Sequence, residues 1–244
     1  AVEHPQLWWP NGMGDPALYT CRLVFETDGR QSDARTVTFG IREYGYEWHD
    51  GIFRLKINGE PVYVKGGNWG MSEWLLRCRG EEYDTRVALH RHMHFNMIRN
   101  WIGSTTDEEF YDACDRHGIM IWVDFWLNSH PNLPHDLGAF QQNAVEKIKR
   151  LRNHPSIAVW CGNNEGWPEP PLDTYLRENV RVFDGGERYY QSNSHEGHLS
   201  GSGPWGAYDP RYYFTYYPYP YNKVGTPGWG FRTEIGTAVF VNAE

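Results

Sequence analysis

The chain has 244 residues, 40% of them hydrophobic, which is enough to bury a core in one large α/β domain or in a small domain joined to a barrel-sized one. Its formal net charge of -8, with 31 acidic against 23 basic side chains, argues against a nucleic-acid partner, because phosphates are bound by clustered Lys and Arg. The sequence contains no run of about 18 apolar residues, so no membrane-spanning helix and no membrane partner are predicted.

The first 48 residues predict a few antiparallel strands. Apolar and polar side chains alternate in 18–26 (LYTCRLVFE) and 35–41 (RTVTFGI), and the turn-rich TDGRQSD lies between them, which is the pattern of a β-hairpin. Because these strands are too few for a stable sandwich, residues 1–48 are expected to supply only part of an antiparallel β domain.

The N-terminus and the cysteines say little about the compartment. The chain opens on AVEHPQLWWPNG, without an initiator Met or an apolar signal segment, which predicts a mature chain or a fragment. A periplasmic or secreted location is favoured over a cytoplasmic one. The four cysteines, at 21, 78, 114 and 161, lack the spacing of a metal site or a disulfide framework and are interpreted as mostly buried thiols.

From residue 52 onward, strands alternate with helices. The segment 53–69 (FRLKINGEPVYVKGGNW) predicts a hairpin with its turn at Asn58-Gly59 and a strand ending at Gly66-Gly67. The next predicted elements are a helix in 83–94, a strand in 96–101, a helix from Thr106 or Asp107 to Gly118, a buried strand in 119–126, a helix in 136–155 and a strand in 156–165.

The pattern loosens after residue 165. A loop and helix are predicted in 166–183, a strand in 188–197, a segment rich in Gly, Pro and Tyr up to 228, and a short strand in 228–236. Strands alternating with helices indicate βα units around a parallel sheet. We therefore predict a (β/α)8 TIM barrel over residues 49–244, truncated before its eighth βα unit; an open doubly wound sheet is the alternative.

Polar and aromatic side chains stand at the ends of the predicted strands. In a βα barrel these ends face the active site, and a ring of amides, carboxylates, Arg and indoles suits a polar, uncharged ligand. Two glutamates on separate strands can flank one glycosidic bond, and an adjacent Asn can bind a sugar hydroxyl. The residues concerned are Asn68, Trp69, Arg99–Trp101, Asp124–Trp126, Asn163–Glu165, Ser192–His195 and Glu234.

Five segments resemble glycoside hydrolase family 2. SIAVWCGNNE (156–165) is similar to the acid/base motif of that family and WGFRTEIG (229–236) to its nucleophile segment. LWWPNGMGDPALY, FRLKINGEPVYVKGGNW and FNMIRNW are similar to the end of the immunoglobulin-like domain before the barrel, the barrel entry and the second strand. The resemblance therefore implies that residues 1–48 are the C-terminal strands of an immunoglobulin-like β-sandwich. GPWGAYDPRYYF followed by GWGFRTE is more similar to the branch of exo-β-glucosaminidases and mannosylglycoprotein endo-β-mannosidases than to β-galactosidases or β-glucuronidases.

The resemblance implies a retaining β-glycosidase for β-mannosides or β-glucosaminides that uses no cofactor. Glu165 would be the general acid/base and Glu234 the nucleophile, with their carboxyl groups about 5 to 5.5 Å apart. A carbohydrate would be the partner, and the sequence specifies no oligomeric state. The expected substrate-binding residues are Asn164, Arg99, Trp101, Asp124, Trp126 and Trp205.

Two other functions stay open at this stage. The first is a carbohydrate-binding barrel that has lost catalysis. The second is a metal-dependent hydrolase, suggested by HRHMH (90–94), in which His90 and His94 share a helix face. Because these histidines precede a strand instead of ending one, a structural role is the favoured interpretation and no metal site is predicted.

Overall fold

The computed structural model describes residues 2–70, 78–129, 133–199, 201 and 230–234. Within them lie ten strands, β1 (Tyr19–Thr27), β2 (Arg30–Phe39), β3 (Tyr44–His49), β4 (Ile52–Ile57), β5 (Glu60–Pro61), β6 (Gly66–Trp69), β7 (Met97–Asn100), β8 (Met120–Asp124), β9 (Ile157–Asn163) and β10 (Tyr189–Asn193). The α-helices are α1 (Glu81–His92), α2 (Glu108–His117), α3 (Leu137–Leu151) and α4 (Leu172–Phe183).

Strands β1 and β2 form the predicted hairpin. They pair antiparallel from Tyr19 opposite Phe39 to Thr27 opposite Arg30. The turn is shorter than TDGRQSD because Asp28 and Gly29 both adopt positive φ, 53° and 71°, and close it in two residues. That these strands belong to an immunoglobulin-like domain remains a prediction.

A second antiparallel sheet has the strand order β3-β4-β5. Its β4–β5 turn lies at Asn58 and Gly59, with φ of 51° and 86°, as the Asn-Gly pair predicts. The Tyr46 hydroxyl donates to the carbonyl of Ala158 in β9 at 2.6 Å, and that of Tyr44 donates to the carbonyl of Pro155 at 2.9 Å. These bonds dock the sheet against the amino-terminal part of β9.

The central sheet is parallel and has the order β10-β9-β8-β7-β6. Side chains alternate between its faces, so Ile98, Ile121 and Trp160 pack against the helices. Met97 and Trp122 face the other way and pack with Phe53 and other residues of the β3–β4 hairpin. Both faces of the sheet are therefore buried, which explains the nearly continuous apolar runs of β8 and β9.

The helix signals are confirmed where the structure describes them. Helix α2 has Asp107 as its N-cap residue and ends at Gly118, which is left-handed with φ 69°. In α3 the Asp136 side chain accepts a hydrogen bond from the Ala139 amide at 2.9 Å. No helix in the described ranges is long and apolar enough to cross a membrane. All four cysteines are free thiols, and three of them are buried.

Two strand predictions differ from the structure. Strand β6 begins at Gly66 instead of ending there. Glycine is needed at this position because a Cβ would lie 2.1 Å from the carbonyl oxygen of Met97 in the paired strand. Of the predicted strand 228–236, only 230–234 are described, and they contain a single bridge residue, Glu234. The mixed α/β architecture with a parallel sheet is confirmed, but the described strands do not close into a ring, so the closed barrel remains a prediction.

Candidate active site

Arg99, at the end of β7, lies at the centre of a buried polar cluster. Its Nη2 donates to Asp124 Oδ2 at 2.7 Å and to Asn164 Oδ1 at 2.6 Å, and its Nη1 donates to Glu234 Oε1 at 2.6 Å. Burial disfavours the charged guanidinium, but Asp124 and Glu234 outweigh this effect and hold the Arg99 pKa above its ordinary value. The structure thus brings four of the predicted site residues together around one cation.

Asp124 ends β8 and is completely buried. Besides Arg99, its carboxylate accepts hydrogen bonds from Trp122 Nε1 and from the amide of Ile102, both at 3.0 Å. Because each oxygen has a donor and the charge has a guanidinium partner, the buried carboxylate is compensated. Asp124 therefore holds Arg99 in position.

Asn164 directly follows β9. Its Oδ1 accepts from Arg99 and, at 3.1 Å, from the indole Nε1 of Trp101. Since both neighbours are donors, the amide oxygen must face them, and its Nδ2 then donates to Asn128 Oδ1 at 2.8 Å. The side-chain amide is fixed in one orientation.

Glu165 leaves the strand in a left-handed turn, with φ of 60°. Its amide donates to Ser194 Oγ at 3.0 Å, and its Oε2 lies 3.3 Å from Ser129 Oγ. The turn gives Glu165 a partly buried position after the completely buried strand β9. A positive φ at a non-glycine residue is costly and is found most often at functional sites.

Glu234 reaches the same cluster from the last described segment. Its side chain is 11% exposed and pairs with Arg99. The neighbouring Thr233 donates its hydroxyl to the carbonyl of Ser194 at 2.6 Å. Segment 230–234 is thereby tied to the carboxyl end of β10.

The predicted aromatic residues have different surroundings. Trp101 is partly buried and bonds to Asn164, whereas Trp126 has φ of 50° and packs edge-on against Phe140 of α3, with ring centroids 5.8 Å apart. Trp126 also covers the ammonium of Lys147, which lies 4.2 Å from its ring centroid. Trp205 lies outside the described residues.

Lys147 was not predicted from the sequence. Its Nζ donates to the carbonyl oxygen of Asp124 at 2.7 Å. Burial lowers the Lys147 pKa to about 7, and the nearby Asp124 charge opposes that shift. A single lysine in an amphipathic helix gives no sequence signal that it is buried beside the site. The polar pair Asn128-Ser129, which follows β8 and its loop residues, is a sequence signal that the prediction missed.

The histidine pair considered for a metal site is not arranged as one. His90 donates from Nδ1 to the carbonyl of Arg86 at 2.8 Å and packs against Trp69, and burial lowers its pKa. Among the described residues, the group with metal-ligand spacing consists of Asp112, Asp115 and His154. His154 precedes β9, at the end of the sheet opposite Glu165, and it already contacts Asp115 and Glu108.

Solved structures of other proteins share the fold of this chain. The chain superposes over 96% of its length on 29% of an exo-chitosanase from Amycolatopsis orientalis with a TM-score of 0.78, although the identity is only 20%. It superposes over 86% of its length on 28% of a β-D-mannosidase from Dictyoglomus thermophilum with a TM-score of 0.69 and 33% identity.

The sequence comparisons name the family. Residues 1–42 match the model of the glycosyl hydrolases family 2. The chain is 33% identical over 272 residues to a mannosylglycoprotein endo-β-mannosidase from Lilium longiflorum, a match that covers 92% of this chain and 28% of that protein. These matches confirm the family that the sequence motifs indicated, glycosyl hydrolases family 2, and the chain spans little more than a quarter of the length of this relative.

Proposed function

We propose that the protein containing this chain is a retaining β-glycosidase in which Glu165 is the general acid/base and Glu234 the nucleophile. The observation that carries the proposal is the Arg99 cluster, which joins Glu234 to Asn164, the residue next to Glu165. Arg99 gives Glu234 a cationic hydrogen-bond donor, which is a suitable partner for the carboxylate that acts as a nucleophile.

In the first step, Glu234 bonds to the anomeric carbon while the glycosidic C–O bond breaks, and Glu165 gives its proton to the leaving oxygen. In the second step, ionised Glu165 takes a proton from water, the water oxygen bonds to the anomeric carbon, and the bond to Glu234 breaks. Both carboxyl groups thereby return to their starting states, and no metal or organic cofactor takes part.

The proposed substrates are β-mannosides or β-glucosaminides. The Lilium longiflorum relative is named a mannosylglycoprotein endo-β-mannosidase, and the Dictyoglomus thermophilum protein is named a β-D-mannosidase. The Amycolatopsis orientalis protein is named an exo-chitosanase. In this chain Asn164 has the position to bind a sugar hydroxyl, and Trp101 lies beside it. The choice between the two sugars is assigned to residues 126–137, 166–172 and 203–228, of which 130–132 and 203–228 lie outside the described residues.

The test is hydrolysis of aryl β-mannoside, β-glucosaminide, β-galactoside and β-glucuronide by the natural protein that contains this chain. Glu165→Gln and Glu234→Gln are each expected to lower kcat/KM by about 10²- to 10⁴-fold. The matched control is Glu187→Gln, at a side chain that is 64% exposed and pairs with Arg42.

Azide distinguishes the two roles. With Glu165→Ala, azide should replace water at the glycosyl-enzyme and release the β-glycosyl azide; with Glu234→Ala, it should attack the substrate directly and give the α-anomer. Full activity in both Gln variants would refute the assignment. Tight sugar binding without turnover by the unmodified protein would instead favour the inactive carbohydrate-binding barrel.

A further inference from the structure

A series of polar contacts at hydrogen-bond distance joins the two glutamates through the residues that follow β8. Arg99 connects Glu234 to Asn164, and Asn164 Nδ2 donates to Asn128 Oδ1 at 2.8 Å. Ser129 Oγ lies 2.9 Å from the same Asn128 oxygen and 3.3 Å from Glu165 Oε2. Ser129 is therefore the residue at which this network reaches Glu165.

The serine hydroxyl faces two acceptors but has one hydrogen. Asn128 must present its oxygen, because its neighbour Asn164 is fixed with its NH2 group toward it. Ser129 can thus donate either to Asn128 or to Glu165, and not to both at once. When it turns to Glu165, the Asn128 oxygen keeps the bond from Asn164, so the turn leaves no acceptor unsatisfied.

We propose that Ser129 is a positioning residue for Glu165 whose hydroxyl turns from Asn128 to Glu165 when Glu165 is ionised, and back when it is protonated. A hydrogen bond to a carboxylate is stronger than one to an amide, so ionised Glu165 attracts the donor. Protonated Glu165 is a weaker acceptor, and Asn128 then receives the hydrogen. This inference rests on the proposed function, in which Glu165 alternates between the two states.

The backbone of the loop does not depend on the hydroxyl. The Ser129 amide donates to the carbonyl of Asn164 at 2.8 Å, and the Asn164 amide donates to the carbonyl of Leu127 at 3.0 Å. The Ser129 side chain itself is exposed. Removing its oxygen should therefore change the donor to Glu165 without moving the loop.

The experiment measures kcat/KM against pH for Ser129→Ala and Ser129→Gly in the natural protein that contains this chain. Loss of the donor makes ionised Glu165 less stable, so the alkaline limb of the profile should move upward by about half a unit to one unit. At acidic pH, where Glu165 is protonated, kcat/KM should stay within about twofold of the unmodified protein. Ser32→Ala, at an exposed position of β2, is the matched control.

Two variants are needed because Ser129 has φ of 53°. Alanine keeps the Cβ of serine and therefore its backbone strain, whereas glycine relieves that strain, so an effect of backbone conformation would appear in the glycine variant only, while loss of the hydroxyl affects both. An unmoved alkaline limb in both variants, in a protein whose activity collapses with Glu165→Gln, overturns the role of Ser129. Activity that survives Glu165→Gln overturns the proposed function instead.

Discussion

The guanidinium of Arg99 donates to the carboxylate of Glu234 over an Nη1–Oε1 distance of 2.6 Å, although 135 positions separate the two residues in the chain. Arg99 also pairs with the completely buried Asp124. One cation thus serves two carboxylates in a region of low exposure, where charges interact more strongly than in water. Without Arg99, both carboxylates would still be removed from water but would lose the positive charge of the guanidinium.

Replacing Arg99 is therefore expected to reduce stability as well as activity. Arg99→Met should lower the free energy of unfolding by about 3 to 5 kcal/mol, because Asp124 would be buried without a counter-charge. Denaturation in urea, followed by circular dichroism, measures the change. The control Arg181→Met removes a side chain that is 65% exposed and pairs with Glu178. This change should lower the free energy of unfolding by less than about 1 kcal/mol. Equal midpoints for the two variants would contradict the role given to Arg99.

Gly103 lies where the loop after β7 meets the end of β8. It has φ of 73°, and a Cβ there would lie 2.3 Å from the Asp124 carbonyl oxygen and 2.5 Å from Lys147 Nζ. Gly185 has nearly the same φ, 74°, but nothing within 4 Å of its Cβ position. Gly185→Ala should cost about 1 kcal/mol through backbone strain alone, whereas Gly103→Ala should cost at least about 2 kcal/mol more. Thermal unfolding of the pair tests this, and similar losses would show that the contact is relieved without cost.

His154 should make stability depend on pH. Burial disfavours its charged form, but hydrogen bonds to Asp115 and Glu108 outweigh burial and raise the His154 pKa from 6.5 to about 9. The stabilisation is complete below pH 6.5 and is lost as the pH rises through 9, because the folded state holds the proton more tightly than the unfolded chain. It amounts to on the order of 3 kcal/mol.

The measurement is the difference in free energy of unfolding between the unmodified protein and His154→Gln at several pH values. This difference should be largest at pH 6 and should shrink steadily toward pH 10. His92→Gln, at an exposed residue of α1, is the control. A difference that does not vary with pH would mean that His154 carries no additional proton in the folded state.

Lys147 should have the opposite effect. Because burial lowers its pKa from 10.5 to about 7, the unfolded chain binds more protons between these two values, and the free energy of unfolding rises with pH across that window. Relative to Lys147→Met, the unmodified protein should gain on the order of 3 kcal/mol between pH 7 and pH 9.5. Lys149→Met, at a lysine that is 43% exposed on the same helix, should show no such gain. Parallel curves for the unmodified protein and Lys147→Met would rule out a buried, readily deprotonated amine.

The local elements follow from local sequence signals. The Asn58-Gly59 turn, the cap residues Asp107 and Gly118 and the alternation of apolar strands with helices depend on neighbours a few positions away, and each is where the sequence predicts it. The family motifs likewise identify Glu165 and Glu234 without any structure.

The sequence by itself therefore determined most of the elements, the family and the two candidate glutamates. Only the tertiary structure decided that Arg99 binds Glu234 and Asn164 together, that Lys147 lies beneath Trp126, and that Ser129 reaches Glu165. The two residues of each pair lie 21 to 135 positions apart in the chain. Parallel strands bring such residues to one edge of the sheet only after the whole sheet has formed. Periodicity and capping act over a few residues, so they carry no information about contacts of this range.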